Sequence, residues 1–167
     1  MKRVLVTLTV FSVVFFGASI LLAGKPDMYT VEGSFLEGLV GSCGEEFEVW
    51  EDVSYVAKVK DYYNNDGEWI RTKVHWTVEG VVYNADAPDN YLPYKNSVYN
   101  DFLNNDTGED RIAGLWALVT VPGYGNIFID VGLLIFDAEF NIIFEAGQHQ
   151  WWSSNVGGLC PFLANGD

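Results

Sequence analysis

From Cys43 onward, apolar and polar residues alternate with a period of two. Phe47, Val49, Val53, Tyr55, Ala57 and Val59 interleave with Glu46, Glu48, Asp52, Ser54, Lys58 and Lys60, the pattern of strands with one buried face. The polar pair Glu51-Asp52 interrupts the alternation and predicts a bend or bulge. Asn64-Asn65-Asp66-Gly67 then offers residues that tolerate left-handed dihedrals and closes a hairpin. The return strand is predicted from Trp69 to Tyr83. Ile70, Thr72, Val74, Trp76 and Val78 share one of its faces, and Arg71, Lys73, His75 and Thr77 the other.

Asn84 to Asn96 holds Pro88 and Pro93 and predicts a long loop, either a flap over the mouth of a barrel or an irregular crossover. Strands follow at Val98 to Leu103, Arg111 to Val121, Asn126 to Phe136 and Ile142 to His149. They are separated by turn sequences at Asn104 to Gly108, Pro122 to Gly125 and Asp137 to Phe140. The tail from Trp151 is expected to lie across the body. Residues 25–42 are mixed and Gly-rich and predict a lead-in with at most a short helical turn. The expected class is all-β: one antiparallel up-and-down β-barrel of about seven or eight strands, with a β-sandwich as the alternative. Consecutive hairpins favour the barrel, because a closed sheet leaves no exposed edge.

The N-terminus departs from this period. Met1-Lys2-Arg3 is a short basic start, Val4 to Phe16 an uncharged apolar run, and Gly17, Ala18, Ser19, Ala23 and Gly24 are small. Residues 1–24 therefore read as a signal peptide and the protein as secreted. The stretch from Val4 to Ala23 is also long enough to stay as a membrane anchor, which is the alternative. A lipid anchor is excluded, since Lys25 stands where the acylated cysteine would have to be. Residues 25–42 then form the lead-in and 43–167 the β-domain.

The chain has two cysteines, Cys43 and Cys160, near the two ends of that domain. In an oxidising compartment they are most simply one disulfide. No CxxC motif or Cys-His spacing points to a metal or to a catalytic thiol. Twenty-three acidic against nine basic residues set a net charge of −14, and losing Lys2 and Arg3 with the leader takes it to −16. Such a field disfavours phosphate backbones and anionic membranes, so no nucleic-acid partner is expected, and a cationic or neutral partner remains open.

Candidate chemistry gathers in the last hairpin. If Phe136 and Asn141 flank a four-residue loop, Gly132 faces Glu145 and Asp130 faces Gly147. Asp130, Glu145 and His149 then share a face, and the opposite face, Ile127 to Ile135 in alternate positions, is aliphatic. Two carboxylates beside an imidazole can serve as an acid/base group, or equally as a hydrogen-bonded structural cluster. Gly132 and Gly147 mark either a bend in the strand or the close approach of a ligand. Trp151 and Trp152 are candidate binding residues, since indoles beside acids and amides suit glycan or peptide surfaces; covering a barrel end is the other use. There is no GxSxG, HExxH or phosphate-cradling loop, and no cofactor or metal is expected.

Five segments also carry a family likeness: Cys43-Gly44-x-x-Phe47-x-Val49, Asn105-Asp106-Thr107-Gly108, Val121-Pro122-Gly123-Tyr124-Gly125 with Asp130-Val131-Gly132, Phe144-Glu145-Ala146-Gly147-x-His149, and Leu159-Cys160-x-x-Leu163-Ala164. In this order they resemble a group of small secreted bacterial proteins of unknown function. The likeness runs from Cys43 to Ala164 and implies an exported β-domain, with no activity attached. Three functions stay open: binding of a small apolar ligand in or at the mouth of the barrel, an enzyme centred on Asp130, Glu145 and His149, and a cell-surface or glycan-binding module using exposed tryptophans.

Overall fold

The computed structural model describes residues 25–94 and 97–165; the expected leader, and with it the question of cleavage or anchoring, lies outside the described residues. The strands are β1 (Asp27–Ser42), β2 (Glu48–Tyr63), β3 (Trp69–Asn84), β4 (Ala87–Pro93), β5 (Ser97–Asn104), β6 (Asp110–Val121), β7 (Gly125–Phe136) and β8 (Ile142–His149), followed by a short helix, α1 (Cys160–Asn165). All belong to a single antiparallel sheet with the path β1-β2-β3-β5-β6-β7-β8, to which β4 is joined through β3. The chain is all-β, as its alternation predicts.

Two segments differ from expectation. Residues 25–42 supply a full strand instead of a lead-in. Their period is hidden because the pairing with β2 slips between Phe35 and Gly38 and again between Leu39 and Gly41, with Glu37 at φ 58°. The irregularity therefore sits on β1, while Glu51 and Asp52 opposite it continue β2, and Asp52 Oδ1 accepts the Glu37 N–H at 2.8 Å. The expected loop at 84–96 contains β4. Asn84 Oδ1 accepts the Asp86 N–H at 2.9 Å and turns the chain back onto β3 at once.

β4 pairs with the end of β3 at Val81–Asn84 and β5 with its earlier part at Arg71–Val78, both antiparallel and both on the edge that β2 leaves free. They act as one strand interrupted around Tyr94, which bridges to Val119 on β6. The meander thus has seven ribbons. An odd meander sends its first and last strands in the same direction, so β1 and β8 cannot complete an antiparallel ring. They do not pair, and the sheet is open.

The tail spans that opening at one end. Gln150 Oε1 accepts the Ile129 N–H at 2.6 Å, occupying a donor that β8 leaves unpaired. Gly41 of β1 lies against Ser154 and Val156 so closely that a Cβ would clash. Cys43 and Cys160 form the expected disulfide, closing 117 residues of chain, worth about 4–5 kcal/mol in the chain-entropy view. Val40, Phe47, Val49, Val82, Val119, Phe128, Val156, Leu159 and Leu163 form one buried cluster there. Its members come from β1, β2, β3, β6, β7 and the tail, so the sheet must curl around it.

In register across β6, β7 and β8, Gly114 faces Gly132 and Gly132 faces Gly147. All three have positive φ, between 127° and 147°, a conformation essentially reserved for glycine. A Cβ on Gly132 would collide with the Ala146 carbonyl, and one on Gly147 with that of Val131. The row is a crease that turns the sheet, and the close approach at these glycines comes from neighbouring backbone.

Candidate functional site

Strand pairing places Glu51, Val53 and Tyr55 of β2, Trp76 and Val78 of β3, Tyr99 of β5, and Ile112 and Ala117 of β6 on the inner face. Together with Tyr94, Trp116, Trp151 and Trp152 they line a cleft of about 180 Å³. The rings touch in sequence: Tyr55 to Trp76 at 5.4 Å, Trp76 to Tyr99 stacked at 5.9 Å, Tyr99 to Trp116 at 6.1 Å, Trp116 to Trp152 at 5.5 Å and Trp152 to Trp151 at 5.0 Å between centroids. Trp116 reaches this row because the pairing with β7 slips between Leu115 and Ala117, where it is the extra residue.

One carboxylate enters the lining. Glu51 is buried, accepting the Tyr94 hydroxyl at 2.6 Å and the Trp151 Nε1–H at 3.3 Å. Burial pushes its pKa up, and these two hydrogen bonds pull part of the way back. Desolvation and the adjacent Glu51 push the Tyr94 phenol well above its ordinary value, so it stays a donor. The indole N–H of Trp116 is buried without a hydrogen-bond partner. That of Trp76 makes no full hydrogen bond either, although its approach to the Asp101 carboxylate counters part of the upward push on that acid. Asp101, one pair along from Trp76 on the inner face, is raised to about 7, first by desolvation and then by the hydrogen bond and repulsion of Asp110.

No family model, no curated protein and no solved structure matches this chain. The site is therefore read from its own geometry.

The last hairpin is displaced by two positions from the expected register. Asp130 faces His149, Gly132 faces Gly147, and Leu134 faces Glu145. Two features add one position each: Asp137 Oδ1 accepts the N–H groups of Glu139 and Asn141 and draws Asn141 into the turn, so that Phe136 faces Ile142, and a bulge at Ile143 then sets Ile135 opposite Phe144. A shift of two preserves the faces, so Asp130 and His149 still meet, with His149 Nδ1 at 3.2 Å from Asp130 Oδ1. Glu145 is exposed on the edge strand and shares no hydrogen bond or ion pair with either. The aliphatic face of β7 is the convex one, half-buried, while Phe128, Asp130, Leu134 and Phe136 point inward.

Asp130 is fully buried and fully used. Its Oδ2 accepts the Trp151 N–H at 2.7 Å and the Trp152 N–H at 3.2 Å, and its Oδ1 holds His149. Burial raises its pKa, opposed by these same partners. His149 Nε2 lies 3.3 Å from the Ala146 carbonyl oxygen, so both ring nitrogens are engaged. Asp130 thus fixes the turn that carries Trp151 and Trp152 into the cleft. Sequence reasoning named those two tryptophans but missed Glu51, Tyr94 and Tyr99. Glu51 read as a bend because a carboxylate inside a strand face breaks the alternation that marks burial.

Among the described residues no helix is long and apolar enough to cross a membrane.

Proposed function

We propose that this is an exported, non-catalytic protein that holds a small, largely apolar molecule in the cleft between Glu51, Tyr94 and the tryptophans. The observation that carries the reading is the cleft itself. About 180 Å³ walled by aromatic and aliphatic side chains, with few polar groups converging on it, suits a ligand of one or two rings; a cavity of about 150 Å³ accepts benzene. The unpartnered Trp116 N–H is the sort of donor a bound molecule would satisfy.

Export rests on the basic and apolar start of the chain, and the disulfide is consistent with an oxidising compartment. The likeness to small secreted bacterial proteins points the same way. An acid/base enzyme at Asp130 and His149 is supported by their 3.2 Å contact. The occupation of both imidazole nitrogens and both carboxylate oxygens by the chain itself favours a positioning role instead.

Native mass spectrometry of protein purified from its own host tests the binding reading. A retained small molecule is expected, and it should be lost in the Trp76→Ala, Trp116→Ala double variant. Bare protein, with no heat of binding in calorimetry when indole is added to millimolar concentration, would overturn it.

A further inference from the structure

The basic residues of the described strands keep to one face: Glu48, Asp52 and Glu79 lie among them on the outer side, while the inner side carries acids and no lysine or arginine. Alternation puts Glu51, Asp61, Asp101, Asp110 and Asp130 on the inner face. Every lysine and arginine in β2 to β7, namely Lys58, Lys60, Arg71, Lys73 and Arg111, falls on the outer face. Several of these cations are engaged there: Arg71 lies 4.2 Å over the Tyr62 ring, Lys73 4.9 Å from that of Phe102, and Arg111 pairs with Glu109 at 2.6 Å. Among the described residues no lysine or arginine lines the cleft, and the partners of Glu51 there are a phenol and an indole, both neutral.

A buried carboxylate is normally paired. Here the cleft beside it is lined by aromatic rings, whose π-systems attract a cation as well. We infer that the cleft takes a small organic cation, an alkylammonium with an apolar body, its positive head set against Glu51 and the faces of Trp76, Tyr99 and Trp116. The proposal rests on the binding reading above and adds the charge of the ligand. The walls suit a bulky, weakly hydrated head such as trimethylammonium better than a metal ion or a bare ammonium, because only a head of that kind gives up its water to aromatic carbon at small cost. The acidic inner face lowers the potential along the approach, so the cation is drawn in and anions are turned away.

The test uses the oxidised protein and three probes: choline, its uncharged isostere 3,3-dimethylbutan-1-ol, and indole. Isothermal titration calorimetry should give choline a Kd at least about tenfold below that of the alcohol, the gain expected from a desolvated cation–π site. Glu51→Gln keeps an acceptor for Tyr94 and should erase most of that gap while leaving alcohol binding in place. At pH 8, where Asp101 is ionised, Asp101→Asn leaves every contact of Glu51 intact and should weaken choline alone, by a few-fold, which keeps the claim testable if the Glu51 variant does not fold. An alcohol that binds as tightly as choline, or as indole does where choline fails, would overturn the cationic ligand and leave the cleft reading standing. No binding by any of the three would remove both.

Discussion

The two ends of the curled sheet are built in different ways. Where Cys43 meets Cys160, residues from five strands and the tail pack into one cluster, with Val49, Val82, Val119, Phe128, Leu159 and Leu163 all at 0 % exposure. At the other end, β1 and β8 stand as free edges and expose Met28, Tyr29, Val31, Ile142 and Ile143. Both ends belong to the same continuous ladders, so hydrogen-bonded pairing alone does not produce a core. Ala57, Val59, Leu134 and Phe136 are buried on the inner face by the curl of the sheet, but the one extended apolar cluster forms where the tail supplies a second layer. The cleft lies above that packed end, where the tail delivers Trp151 and Trp152.

The strongest way to break this contrast is to release the tail. Replacing both cysteines by serine, or reducing the disulfide, is expected to lower stability by about 4 kcal/mol on the chain-entropy view, read from urea denaturation. Limited proteolysis of that form should cut first within 150–160. A loss below about 1 kcal/mol would show that the side-chain contacts of the tail hold the seam without the covalent link.

Side-chain truncation compares the ends directly. Leu159→Ala or Leu163→Ala removes a fully buried side chain and should cost about 2–5 kcal/mol. Ile143→Ala, at 58 % exposure, should stay within about 0.5 kcal/mol. Equal losses in thermal unfolding would mean that the free edges are covered in solution.

The smallest expected effect sharpens the electrostatic side. Asp101 titrates near 7 in the folded chain against an ordinary 3.8, so between those values the folded state holds the extra proton. Stability contributed by this group is complete at low pH and falls as pH rises toward 7. Asp101→Asn should therefore have a higher Tm than the parent at pH 8 and lose that advantage near pH 4. An unchanged pH profile would place the perturbed acid elsewhere on the inner face.

Much of this architecture could be read from residues alone, because two signals are local. Period-two alternation marked β2, β3, β6, β7 and β8, and the Asn, Asp and Gly clusters marked the hairpins between them. What escaped depends on partners distant in sequence. β1 was hidden by irregularities that make sense only against Glu51 and Val53, and β4 by the prolines at 88 and 93, which an interrupted strand on the edge of β3 accommodates. The register of the last hairpin turned on the reach of the Asp137 carboxylate across four residues and on the bulge at Ile143. The site was half legible: Asp130, His149, Trp151 and Trp152 stand out by type and spacing. The ring-to-ring row and the role of Glu51 emerge only once the sheet has curled.

A ring of strands has its bore set by how many staves it contains and how they are staggered, so changing its width means re-registering the whole wall. An odd number of ribbons frees this protein from that rule. The gauge of its chamber is set by one strap, tied by sulfur at its base and resting against Glu51 through Trp151. Altering the strap alone would resize the chamber, so variants in 150–159 can retune which molecules fit while every ladder stays as it is.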